Sequence, residues 1–251
     1  MYDSRIGRWF ARDPLAEKFP NISPYVYCLN NPLNFINPDG RDPIDVIKRL
    51  NAFTNKTFNK AWKDSFINDG EKVQEITFVI IRSRKGIMRT GDIETLGSSG
   101  GRGKPIVLNA GEKIVGQGHT HPYSISEGSH QGIPFSGTDI FGVKGRDKDY
   151  VSMVEAGTKR FALIIENKKM ADAFFKGKSM SDINEQFNLN LKAANGTGTF
   201  EERAKTAIIN TLGKDSGIGF YESTNKEDFS KVELPEKKVE ATPTPLTPIG
   251  N

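Results

Sequence analysis

The period of the apolar positions changes along the chain, and each change marks an element. From Asp42 onward Ile44, Val46, Ile47, Leu50 and Phe53 form a helical stripe, with Asp42 suited to N-cap and Pro43 to the first helical position. A helix to about Phe66 is predicted. Glu75-Ile76-Thr77-Phe78-Val79-Ile80-Ile81 is β-branched and nearly continuous, which predicts a buried strand opening at an acidic residue. Apolar runs at 106–108 and 113–116 predict further strands, the second running into Gly118-His119-Thr120-His121-Pro122. Residues 136–141 start a short helix, and 150–155 and 160–166 read as a hairpin around Ala156-Gly157-Thr158-Lys159. Helical patterns follow at about 168–175, 181–194 and 200–212, with a late strand at 217–222.

The flanks carry a different texture. Residues 1–41 are dense in Pro, Asn, Asp and aromatics, a punctuation that allows only short extended pieces joined by turns. From Pro235 the chain turns to Lys/Glu and then to Thr242-Pro243-Thr244-Pro245, which cannot bury enough surface to order itself. The expected organisation is an irregular segment 1–41, an α/β domain 42–234 and a disordered tail 235–251. Within the domain, glycine-rich 97–103 is expected to be a mobile loop.

At 251 residues, 36% hydrophobic and 26% charged, the composition is that of a globular protein. No apolar stretch is long enough to span a bilayer, so no membrane role is expected. The start, Met1-Tyr2-Asp3-Ser4-Arg5-Ile6, lacks the basic and apolar regions of a secretory signal. The net charge of +4 is spread among 35 basic and 31 acidic residues without a Lys/Arg block, so nucleic acid is not an expected partner. Cys28 is the single cysteine and cannot form an intramolecular disulfide.

Chemistry concentrates at the histidines: His119, His121 and His130 fall within twelve residues. In a strand, positions i and i+2 share a face, so His119 and His121 can direct two imidazoles at one metal while Thr120 faces away. Asp139, at the mouth of the next helix, is the best-placed third ligand, with Ser136 one turn earlier. Two bland readings compete. The histidines can be ordinary core or surface residues, and Ser136-x-x-Asp139 can be an ordinary helix start with Ser136 as N-cap. A third possibility makes His130 a ligand and Asp139 only a capping residue.

His-Thr-His-Pro, a loop and Ser-Gly-Thr-Asp together resemble the JAMM motif of JAB/MPN metallopeptidases. The order of elements agrees over roughly 42–166: helix, strand beginning with Glu, strand ending in His-x-His-Pro, short helix with Ser-x-x-Asp, hairpin. The resemblance implies a JAB/MPN-like mixed β-sheet flanked by helices, with Zn2+ held by His119, His121 and Asp139. It places Ser136 near the reacting carbonyl and assigns Glu75 to the water at the metal, with Glu71, Glu94 and Glu112 as rivals. The loop between His121 and Asp139 is longer than in the usual pattern.

The first forty residues resemble something else. Tyr2-Asp3-Ser4-Arg5-Ile6-Gly7-Arg8-Trp9, Tyr25-Val26-Tyr27, Asn30-Asn31-Pro32 and Asn37-Pro38-Asp39-Gly40-Arg41 are similar to the end of an RHS-repeat core, after which a variable toxin domain begins. Asp13-Pro14-Leu15-Ala16 lacks the glycine of the family's self-cleavage motif, and Asn37 replaces its second aspartate. The two resemblances together imply a zinc peptidase or isopeptidase toxin of a polymorphic toxin system, the terminal fragment of a longer chain. Its partners would be a peptide or protein (isopeptide) substrate, a cognate immunity protein and an RHS shell. A dedicated secretion system would deliver it to a target cell. Two alternatives are a metal-dependent nuclease or deaminase, and a catalytically inactive JAB-like binding module. The nuclease needs clustered Lys/Arg at the metal, and the deaminase needs cysteine ligands that Cys28 alone does not supply.

Overall fold

The computed structural model describes residues 2–3, 8–9, 23, 25, 42–67, 72–91, 94–95, 106–122, 134–196 and 198–233. Cys28, Glu71, His130, the glycine-rich loop 97–103 and the tail 235–251 lie outside the described residues. Of segment 1–41, only the backbone pair β1 (Tyr2–Asp3) and β2 (Arg8–Trp9) is placed as regular structure.

α1 (Pro43–Asp64) begins where capping predicts: Asp42 accepts the Ile44 N–H at 2.9 Å and Pro43 needs no partner. It ends two residues before the sequence pattern does. Phe66 belongs instead to β3 (Phe66–Ile67), which pairs with β4 (Lys72–Val73). Then come β5 (Ile76–Arg82), β6 (Met88–Thr90), β7 (Glu94–Thr95), β8 (Lys113–Thr120) and the short α2 (Gly137–Phe141). The expected hairpin is β9 (Val151–Ala156) with β10 (Lys159–Ile165), followed by α3 (Lys168–Phe175), α4 (Met180–Ala193), α5 (Phe200–Leu212), β11 (Ile218–Ser223) and β12 (Ser230–Lys231).

Eight strands form one mixed sheet in the order β12-β11-β10-β9-β8-β5-β6, with β7 also paired to β5. Every pairing is antiparallel except that of β8 with β9. The fold class is therefore α/β with a large mixed sheet and helices on both faces. Alternation along the central strands divides the core between those faces. Met153, Ala162 and Ile164 pack with Val46, Ile47, Leu50 and Phe58 of α1. Val154, Phe161, Leu163 and Ile165 pack with Ile140, Phe175, Ile183 and Ile208 of the other helices.

One irregularity decides which way the histidines point. Between β5 and β8 the register steps from Ile80↔Gly116 to Ile81↔Ile114, so Val115 is one extra residue in β8. A bulge reverses the facing of everything beyond it. Ile114 packs on the α2–α5 side. Past the bulge the even positions turn to α1, where a Cβ on Gly118 would press against the rings of Phe78 and Phe58 at 2.3 and 2.7 Å. The odd positions, Gln117, His119 and His121, are thereby turned toward α2.

The strand expected at 106–108 is not one. That segment is irregular and exposed, Val107 at 82%, and no described strand pairs with it; the Val107 carbonyl accepts from Arg89 Nη2 of β6 at 3.1 Å. Among the described residues no helix is long and apolar enough to cross a membrane.

Candidate metal centre

His119 is the last paired residue of β8 on its face, opposite Thr77 of β5 and beside Val154 of β9. His121 follows just beyond the strand, and its N–H donates to the Glu155 carbonyl at 2.8 Å, which continues the alternation for one more residue. The two imidazoles meet edge to face with centroids 4.8 Å apart. Asp139 enters from α2. Its Oδ1 lies 3.4 Å from His119 Nε2 and its Oδ2 lies 3.7 Å from His121 Nε2. Gly137 lets this helix approach, since a Cβ there would meet the Asn184 backbone of α4 at 2.5 Å.

The donor set fits a metal ion. One ligand atom from each of His119, His121 and Asp139 lies within 4.8 Å of the others. His119 Nε2 is buried and has no hydrogen-bond partner, a costly state that a Lewis acid would relieve. His121 Nδ1 lies 3.1 Å from the Pro134 carbonyl, which can only accept, so Nδ1 donates there and Nε2 is the ring nitrogen turned to Asp139 and Glu75. Two imidazoles and one carboxylate, with further positions open, suit zinc.

The charges agree with this arrangement. Burial pushes the His119 imidazole down to about 4, against the attraction of Asp139, with repulsion from His121 adding to the depression. Burial acts to raise the Asp139 carboxyl, but the two imidazoles and the bonds from Ser136 outweigh it and hold the carboxyl below its ordinary range. A neutral ring beside an ionised carboxylate is the state a divalent cation requires.

Glu75 comes to the same place. It precedes β5 by one residue, and its Oε1 stands 3.8 Å from His121 Nε2. Partial burial raises its carboxyl, His121 opposes the rise and Asp139 adds to it. Of its rivals, Glu112 is committed to Arg89 through bonds of 2.9 and 2.6 Å, which hold its carboxyl down at about 2.

Of the two roles that its position suggested, Ser136 has the capping one, and through it a hold on Asp139. It is the N-cap of α2 in a complete capping box, and its Oγ donates to Asp139 Oδ2 at 2.7 Å. The cap therefore orients the ligand carboxylate, and the hydroxyl's hydrogen is engaged there. The carbonyls of Pro134 and Glu155, which hold His121, left no trace in the sequence pattern because they are backbone groups of segments distant along the chain.

No family model matches the chain, and no curated protein or solved structure matches it.

Proposed function

We propose that residues 42–234 are a zinc-dependent peptidase or isopeptidase domain of the JAB-like kind, carried as the toxin of an RHS protein. The observation that carries the reading is the convergence of His119, His121 and Asp139 with Glu75 3.8 Å from His121. A zinc ion held by these three ligands would supply Lewis-acid polarisation of a carbonyl and acidify the water it binds. Glu75 accepts the water's proton and returns it to the leaving amine, a task suited to a carboxyl raised by burial. Ser136 exchanges its bond to Asp139 for one to the developing oxyanion. The bulge-directed His-x-His, the capped Ser-x-x-Asp helix and the parallel β8–β9 pair support the JAB-like reading. A complete ligand set favours an enzyme over an inactive binding module.

The test uses the full chain. Elemental analysis should find about one zinc per chain, and peptide or isopeptide substrates should be cleaved. Expression in a sensitive bacterium without an immunity partner should be toxic. Cleavage and toxicity that survive both His119→Ala and Glu75→Gln would place the chemistry elsewhere.

A further inference from the structure

We infer that Thr120, between the two histidines, is a positioning residue of the metal centre, holding Glu75 and the His-x-His segment in register through a buried hydroxyl relay to the end of α1. The inference rests on the reading of His119, His121 and Asp139 as metal ligands.

Strand alternation turns Thr120 away from the ligands and toward α1, where it is fully buried. Its Oγ1 accepts the Ile76 N–H at 3.0 Å and lies 2.7 Å from Ser65 Oγ. Ser65 Oγ donates to the Ala61 carbonyl at 2.9 Å, in the last turn of α1. Each hydroxyl has one hydrogen. Ser65 has spent its own on Ala61, so Thr120 must donate to Ser65. The relay therefore runs Ile76 N–H to Thr120, Thr120 to Ser65, Ser65 to the Ala61 carbonyl.

Its position explains its use. The β5–β8 pairing stops at Thr77↔His119, and the Thr120 side chain takes over from the backbone ladder at Ile76. On the other side of Glu75, the Gln74 N–H donates to the Ser65 carbonyl at 2.9 Å. Glu75 is thus bracketed by two backbone bonds that both end on the Ser65–Thr120 pair. A valine at 120 has nearly the same shape and strand preference, so burial alone does not call for threonine. The hydroxyl is what joins the two ligand histidines to the residue beside Glu75.

The test measures zinc affinity of the full chain by chelator competition, the visible spectrum of the cobalt-substituted protein, and amide exchange at Ile76. Thr120→Val should weaken zinc by about tenfold, as loss of a supporting hydrogen bond at a metal site does, alter the cobalt bands and expose the Ile76 amide. Thr120→Ser should restore all three. Thr120→Val that exposes Ile76 yet binds zinc and cobalt as the wild type does overturns the inference. Should Thr120→Val not fold, Ser65→Ala decides: weaker zinc supports the relay, and wild-type affinity overturns it. A wild-type chain that takes up no zinc instead removes the metal reading itself, and this inference with it.

Discussion

Glu75 faces His121 across the β5–β8 pair. The register matches Thr77 with His119, and two residues beyond that pair, back from Thr77 and onward from His119, Glu75 comes opposite His121, with Oε1 3.8 Å from Nε2. Residues directly opposite share a face of the sheet, so the same pairing that aims the histidines aims the carboxylate. Glu75→Gln keeps the shape and removes the proposed base. It should retain zinc and lower turnover by about a hundred- to ten-thousandfold, read by elemental analysis alongside single-turnover kinetics. Loss of zinc from this variant would make Glu75 a ligand instead.

Burial raises the Glu75 carboxyl, so the folded protein binds that proton more tightly than the unfolded chain does. The contribution to stability is present below the ordinary carboxylate range and is lost as pH rises through the raised value. In the metal-free protein Glu75→Gln should therefore be more stable than wild type at pH 7, and the advantage should vanish at low pH. The side chain is 39% exposed, and solvent screening keeps the gain under about 1 kcal/mol. Urea melts at both pH values check this, and an advantage larger at low pH would reverse the assignment.

Much of this site was legible because its signals are local. Asp42-Pro43 marked the start of α1, Ser136-x-x-Asp139 marked α2, and the spacing of His119 and His121 implied a shared face. The face itself was not legible, since it depends on the bulge at Val115, which the pattern of Lys113–Thr120 does not reveal. Glu75 was preferred over Glu112 by its place at the opening of a strand, and the spatial reasons, pairing register and the claim of Arg89 on Glu112, lay outside the sequence pattern. Val107 shows the opposite error: β-branched and apolar, it nevertheless lies 82% exposed, and no described strand pairs with it.

Ser136 caps α2, and two substitutions separate that role from the proposed chemical one. Ser136→Ala removes the cap and should cost about 1 kcal/mol of stability, whereas Ser136→Gly should cost only a few tenths. Both lose the hydroxyl, so both should lower turnover, by about a hundred- to a thousandfold if it serves the oxyanion. Thermal melts and kinetics on the two variants decide. Normal turnover in Ser136→Gly would leave the hydroxyl with its capping role alone.

On the α1 face, Arg160 is fully buried against Glu155, with its Nη1 donating to Asn51 Oδ1 at 2.5 Å and its guanidinium carbon 4.2 Å from the Phe58 ring centre. Lys226 reaches the other oxygen of Glu155 at 2.7 Å. Arg160→Met leaves the buried Glu155 with Lys226 as its remaining counter-charge, so it should destabilise by less than the about 3–5 kcal/mol of a fully stranded charge. Arg160→Met combined with Glu155→Gln should cost less than the sum of the two single changes, because the guanidinium and the carboxylate that face each other are then removed together. Additive costs in a denaturant-melt cycle would mean that the two side chains act independently.

His119 gives the metal-free protein its clearest pH signature. The ring is pushed down to about 4 by burial, while an unfolded histidine titrates near 6.5. Protons therefore favour the unfolded chain. The stabilisation is complete above pH 6.5 and is lost as pH falls toward 4, an amount on the order of 3 kcal/mol for a shift of this size. Glu75 works in the opposite direction but is half-exposed and weaker, and Asp139, held below its ordinary range, loses its contribution only at lower pH still. Wild-type stability should consequently fall between pH 6.5 and 4, and His119→Gln, which cannot take up the proton, should show a flatter profile over that window. Equal slopes for the two proteins would mean that His119 is not buried in its neutral form. The same proton competes with zinc, so zinc affinity should weaken over the acidic range in wild type, while at neutral pH the ring needs to release no proton before it can bind.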